Sequence, residues 1–129
     1  MRSLLLLFVL AIAGCGVNPP IQGRADPYAP SQVHFDSDEI RRDTAIGEPI
    51  LTRDEFGLLH VTLPIRSAVD LQLHVQYRVT FFDSNRGTLD QQSWIDKTLT
   101  ANTPDQIDVN SVDKLAADFQ IDFRYPPGY

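Results

Sequence analysis

The sequence has only one cysteine, Cys15, and few positively charged residues. A single cysteine cannot form an internal disulfide, and without a cysteine pair the usual signature of a zinc site is missing. The 11 Lys and Arg residues are outnumbered by 17 Asp and Glu residues, so the net charge is −6. Nucleic acid and anionic lipid surfaces both need clustered cations, so the sequence predicts neither as a partner.

The sequence also lacks the motifs that usually mark an active site. It contains no nucleophile elbow, no glycine-rich phosphate loop and no ordered Ser-His-Asp set. We therefore predict that the protein is not an enzyme and that it uses no cofactor and no metal ion.

The chain begins with Arg2 and an uninterrupted apolar run from Leu4 to Ile12. This run is shorter than the roughly 20 apolar residues that a membrane-spanning helix needs. Its length and the preceding positive charge are typical of a secretory signal peptide, and the small residues Ala13 and Gly14 suit the cleavage site.

The sequence AIAGC at residues 11–15 resembles the lipobox of bacterial lipoproteins, with Ile12 in place of the usual Leu. The resemblance implies a signal peptide over residues 1–14 and lipidation of the Cys15 sulfur, and two or three acyl chains anchor a protein stably. Enterobacterial lipoproteins kept in the inner membrane carry Asp where this chain has Gly16. The resemblance therefore implies an outer membrane lipoprotein facing the periplasm. The alternative for Cys15 is an ordinary buried cysteine.

Residues 15–45 are predicted to form the lipidated cysteine and a flexible tether. Pro19, Pro20, Pro27 and Pro30 lie close together in this segment, and prolines prevent a helix and favour extended, solvated backbone. The charged residues 36–45 have little apolar face and are expected to form at most a short helical turn.

Beyond residue 46 apolar residues alternate with polar ones. The alternation is strong over 59–65, 71–81 and 119–125 and weaker over 49–53, 93–99 and 105–110, which indicates strands with one face on a core. Between them lie turn sequences such as 83–87, where Asn85 or Gly87 is expected to take a positive φ, and a possible helical turn over 111–117. We predict an all-β fold, a small antiparallel immunoglobulin- or fibronectin-III-like β-sandwich over residues 46–129.

The segment of residues 71–90 resembles a signature of the YcfL-like lipoproteins, a family of the bacterial cell envelope. The matching residues are Tyr77, Phe81, Phe82, Asp83 and Gly87, followed by Trp94 and the strand from Phe119 to Tyr125. The resemblance covers about residues 46–125 and implies an immunoglobulin-like sandwich, an envelope location and no assigned activity. Genes of this family often neighbour an activator of peptidoglycan synthesis, which implies a cell-wall context.

Three histidines and two carboxylates are the remaining candidates for chemistry. His60 and His74 are expected on the polar faces of adjacent strands, where they could be neighbours, and His34 is the third possible zinc ligand; without further ligand spacing we interpret all three as solvated. Asp83 and Asp90 flank a turn and could form a catalytic carboxylate pair, but Asp is also a common turn residue.

Four aromatic residues near the family signature are expected mainly in the core. They are Tyr77, Phe81, Phe82 and Trp94. Phe81 and Phe82 are adjacent and break the alternation, so one of the two should point outward or into an end of the sandwich.

The sequence thus favours a lipid-anchored accessory or binding module with an unidentified envelope protein as its partner. Recognition would use a sheet edge or end loops such as 83–88. Two alternatives stay open: an envelope enzyme that acts on cell-wall glycan with Asp83 or Asp90, and a structural spacer without a specific partner.

Overall fold

The computed structural model describes residues 31–128, which form two β-sheets around one hydrophobic core. The predicted all-β sandwich is therefore confirmed. The elements of this part of the chain are β1 (Val33–Phe35), α1 (Asp38–Asp43), β2 (Thr44–Ile46), β3 (Ile50–Arg53), β4 (Leu59–Ser67), β5 (Leu73–Phe82), β6 (Thr88–Gln91), β7 (Ile95–Leu99), β8 (Asp105–Asn110) and β9 (Asp118–Arg124). No helix among the described residues has the length and apolarity that a membrane crossing requires.

Each sheet is organised by one long strand. In the five-stranded sheet β5 pairs with β9 on one side, and β9 pairs with β1; on its other side β5 pairs with β7 along its first half and with β6 at its end. In the four-stranded sheet β4 pairs with β8 on one side and with β3 and β2 in succession on the other. All of these pairs are antiparallel except the parallel pair of β1 and β9.

The core is formed by the apolar positions of the alternating strands. In β4 every second residue from Leu59 to Ser67 is buried, and the residues between them are half-buried. The largest fully buried side chains come from β5 and β9: Phe81, Phe119 and Phe123. Full burial of a side chain of this size stabilises a fold by about 1.5–3 kcal/mol, so these three residues contribute a large share of the stability.

The folded part of the chain begins before residue 46. Residues 33–45, which we assigned to the tether, form β1, α1 and the first two residues of β2. Val33 pairs with Ile121 of β9, and Ile40 of α1 is completely buried. The side chain of Ser37 caps α1 by accepting a hydrogen bond from the backbone of Ile40. The short helical turn expected within residues 36–45 is present as α1. The tether prediction was wrong for residues 33–45 because a three-residue strand and a helix with one buried residue leave almost no periodic pattern.

The remaining predicted segments lie partly outside the described structure. The signal peptide over residues 1–14, Cys15 and the tether up to residue 30 fall outside residues 31–128, as does Tyr129. Residues 111–117 contain bends and one hydrogen-bonded turn, in which the backbone of Ala116 donates to the backbone oxygen of Asp113 at 3.2 Å, so the predicted helical turn is limited to this single turn. A register shift between Phe81 and Phe82 leaves Phe81 fully buried and Phe82 half-buried, as the break in alternation indicated.

Candidate functional site

The first candidate carboxylate, Asp83, organises the turn between β5 and β6. Its Oδ1 accepts hydrogen bonds from the backbone N–H groups of Asn85 and Gly87 at 2.9 and 2.8 Å. The residue with positive φ is Arg86, at 64°, so the expectation of Asn85 or Gly87 was wrong. Gly87 instead provides space, since a Cβ there would lie 2.9 Å from Asp83 Oδ2. The second candidate, Asp90, lies in β6 opposite Phe81. Asp83 is thus a turn residue, whereas Asp90 is a strand residue.

Replacing Asp83 with Ala is expected to lower the free energy of unfolding by about 1 kcal/mol, because two turn N–H groups lose their acceptor. Asp83→Asn keeps an oxygen acceptor and should retain most of the stability. Urea unfolding followed by Trp94 fluorescence measures both, with Ser84→Ala as an exposed control in the same turn. Equal unfolding midpoints for Asp83→Ala and Ser84→Ala would show that the turn does not depend on this carboxylate.

The candidate zinc ligands His60 and His74 lie in different sheets. His60 belongs to β4 and His74 to β5, so they are not cross-strand neighbours, and the expectation that they could be was wrong. The chain crosses from one sheet to the other between β4 and β5. The prediction assumed that these two strands form a hairpin within one sheet. Among residues 31–128, no group of three or more His, Cys, Asp or Glu residues could hold a metal ion.

Each histidine has its own polar neighbours. His60 contacts Asn110 and lies 3.5 Å from Asp108, and His74 lies 3.1 Å from the hydroxyl of Thr98. The pKa of Asp108 is lowered, mainly by the hydrogen bond from Thr62 and then by those from other neighbours. His34 Nδ1 lies 3.7 Å from the carboxylate of Asp122. These contacts lie on the surfaces of the strands, where His34 and His74 are exposed and His60 is half-buried.

Trp94 lies outside the core, on the outer face of the five-stranded sheet. The guanidinium carbons of Arg124 and Arg78 lie 3.9 and 4.6 Å from its ring centre, within the range of cation–π attraction. Arg124 donates to Gln76 at 2.9 Å, and Arg78 donates to Asp122 at 3.2 Å. The two arginines therefore hold Trp94 against the sheet, and the core position expected for it was wrong.

Two loops at one end of the sandwich carry exposed apolar side chains. Phe56, between β3 and β4, is 73% exposed, and Val112 and Leu115, between β8 and β9, are 74% and 63% exposed. Arg53 joins the two loops by donating to the backbone oxygens of Gly57 at 3.0 Å and Ala116 at 2.7 Å. We call Phe56, Val112 and Leu115 together the apolar end. The sequence interpretation missed it because Val112 and Leu115 fall in the segment assigned to a helical turn and Phe56 falls between two predicted strands, in a segment given no assignment.

The strand β3 forms an exposed edge of the four-stranded sheet. It pairs with β4 on one side, and among residues 31–128 no strand pairs with its other side. All four of its residues are exposed, including Ile50 at 55% and Leu51 at 48%. A free edge with apolar side chains is a template for adding another strand. We call this strand the β3 edge.

No protein-family model matches the sequence, and no curated protein matches it. Two solved structures share its fold. Cj0090 of Campylobacter jejuni aligns with a TM-score of 0.64 and 16% identity, over 74% of this chain and 98% of its own length. A DUF1425 family member from Shewanella sp. pv-4 aligns with a TM-score of 0.59 and 19% identity, over 67% of this chain and 81% of its own. The sandwich thus has the fold of two bacterial proteins, one of them from a family of unknown function.

Proposed function

We propose that this protein is a lipid-anchored, non-catalytic binding module of the bacterial cell envelope that binds a protein partner through the β3 edge. The observation that carries the binding role is the exposure of Ile50 and Leu51 on a strand that has one unpaired edge among residues 31–128. The lipobox-like sequence at residues 11–15 supports an anchor at Cys15 in the outer membrane, facing the periplasm. The resemblance to YcfL-like lipoproteins supports a cell-wall context.

Strand addition is the binding mode that suits the β3 edge. An extended segment of the partner would pair its backbone N–H and C=O groups with those of β3, and its side chains would cover Ile50 and Leu51. The opposite edge of the same sheet is less suitable, because the exposed residues of β8 are polar: Gln106, Asp108 and Asn110. Polar and charged side chains on an edge disfavour pairing with a foreign strand.

Photo-crosslinking in cells that express the full chain tests this proposal. A photoreactive benzoylphenylalanine at Leu51 is expected to form an adduct of one defined mass with an envelope protein. The same group at Gln106, on the polar edge, is the matched control and is expected to form none. No adduct at Leu51, or the same adducts at both positions, would contradict recognition through the β3 edge and would favour a spacer or another surface.

A further inference from the structure

Ser31, the first described residue, lies at the end of the sandwich that carries the apolar end. Because β1 runs parallel to β9, Ser31 lies beside the beginning of β9, and Ser31 and Phe119 line one surface pocket. Strand β9 begins directly after the loop that carries Val112 and Leu115. That loop is in turn joined to the turn of Phe56 through Arg53. Ser31 therefore lies at the end of the sandwich that carries the exposed apolar side chains.

The distance from Cys15 to this end of the sandwich is limited. Residues 16–30 separate Cys15 from Ser31, and even a fully extended chain of that length spans at most about 55 Å. An anchor at Cys15 would keep Ser31 within this distance of the bilayer. The end of the sandwich nearest the attachment point would then be the end that carries Phe56, Val112 and Leu115.

We propose that the apolar end rests on the surface of the bilayer, with Phe56, Val112 and Leu115 inserted among the lipid headgroups. This inference rests on the proposed anchor at Cys15. Three exposed apolar side chains on two joined loops form an apolar surface. Water solvates such a surface poorly, whereas the interfacial region of a bilayer can bury it. Lys114, between Asp113 and Leu115, can extend its ammonium group to the headgroups while its methylenes cover apolar surface.

The contact is expected to depend on apolar insertion and not on lipid charge. The charged residues next to the apolar end have both signs: Glu55 beside Phe56, and Asp113 and Lys114 beside Leu115. The whole chain carries a net charge of −6, and anionic lipid attracts basic clusters. Phosphatidylcholine vesicles, which carry no net charge, are therefore a sufficient target.

The test uses the mature protein that cells produce from the full chain, mixed with phosphatidylcholine vesicles, with one new cysteine that carries an environment-sensitive fluorophore. Lipidation consumes the Cys15 thiol, so the label reacts only at the new site. Leu115→Cys reports on the apolar end, and Thr103→Cys, in the turn between β7 and β8 at the opposite end, is the control. With spin-labelled lipid we expect a fluorescence loss on the order of twofold at 115 and none at 103. Val112→Cys provides a second reporter in case Leu115→Cys misfolds.

The outcomes separate the inference from the proposed anchor. Protein that does not float with the vesicles contradicts the anchor at Cys15, and the docking inference fails with it. Protein that floats but shows equal fluorescence at 115 and 103 retains the anchor and overturns docking. A label at 115 that is already shielded without vesicles shows that protein, such as a second copy, covers the apolar end, which also overturns docking.

Discussion

Cys15→Ser is expected to move the protein from the membrane fraction to the soluble fraction. Serine has no thiol to receive the lipid, so the mature chain would lose every acyl chain that the lipobox-like sequence implies. Each buried methylene contributes about 0.8 kcal/mol of membrane affinity, so the loss of even one long chain lowers this affinity by several powers of ten. Cell fractionation followed by immunoblotting measures the shift.

The matched control is Gly16→Ala, which changes the neighbouring residue and keeps the thiol. This variant should stay in the membrane fraction. Globomycin, which blocks cleavage of lipidated precursors, should make the wild-type protein accumulate uncleaved and should have no such effect on Cys15→Ser. A Cys15→Ser protein that is still lipidated and membrane-bound would contradict the anchor.

Phe81→Ala is expected to cost about 3–5 kcal/mol of folding stability, because it opens a cavity in the centre of the sandwich. Phe81 is 0% exposed and pairs with Phe119 across β5 and β9. A domain of this size has a total stability of about 5–15 kcal/mol, so this one change removes a large part of it. Urea unfolding of the full chain, followed by circular dichroism, gives the loss.

Phe56→Ala is the control for this prediction, because it removes the same side chain from a site that is 73% exposed. Its stability should stay within about 0.5 kcal/mol of the wild type. If the two variants unfolded at the same urea concentration, Phe81 would not be the centre of the core that the structure indicates.

The strands that the sequence predicts well are the long ones with one buried face. In β4 and β9 the strict alternation of apolar and polar residues follows from the period of the strand itself. Strands β1 and β2 have three residues each, too few for a period, and β6 has only Leu89 as an apolar residue. Their positions depend on pairing with distant partners, such as β1 with β9, which local sequence does not encode.

The surfaces of the sandwich were harder to predict than its strands. The sequence places His60 and His74 on consecutive strong strands, but whether such strands pair or belong to opposite sheets depends on the whole topology. The apolar character of Trp94 favours a core position, but Arg78 and Arg124, from two different strands, hold its ring on the surface of the sheet. Phe56 and Leu115 are large apolar residues outside the predicted strands, and this is the signal in the sequence that points to exposed apolar side chains on loops.

The measurement that tests the account most directly is the mass of the N-terminal peptide of the mature protein extracted from membranes. A lipid-anchored binding module requires this peptide to begin at Cys15 and to carry a diacylglyceryl group on the cysteine sulfur. The lipobox resemblance also implies a further acyl chain on the amine of Cys15. A mature protein that keeps residues 1–14, or that carries an unmodified Cys15, would contradict the account.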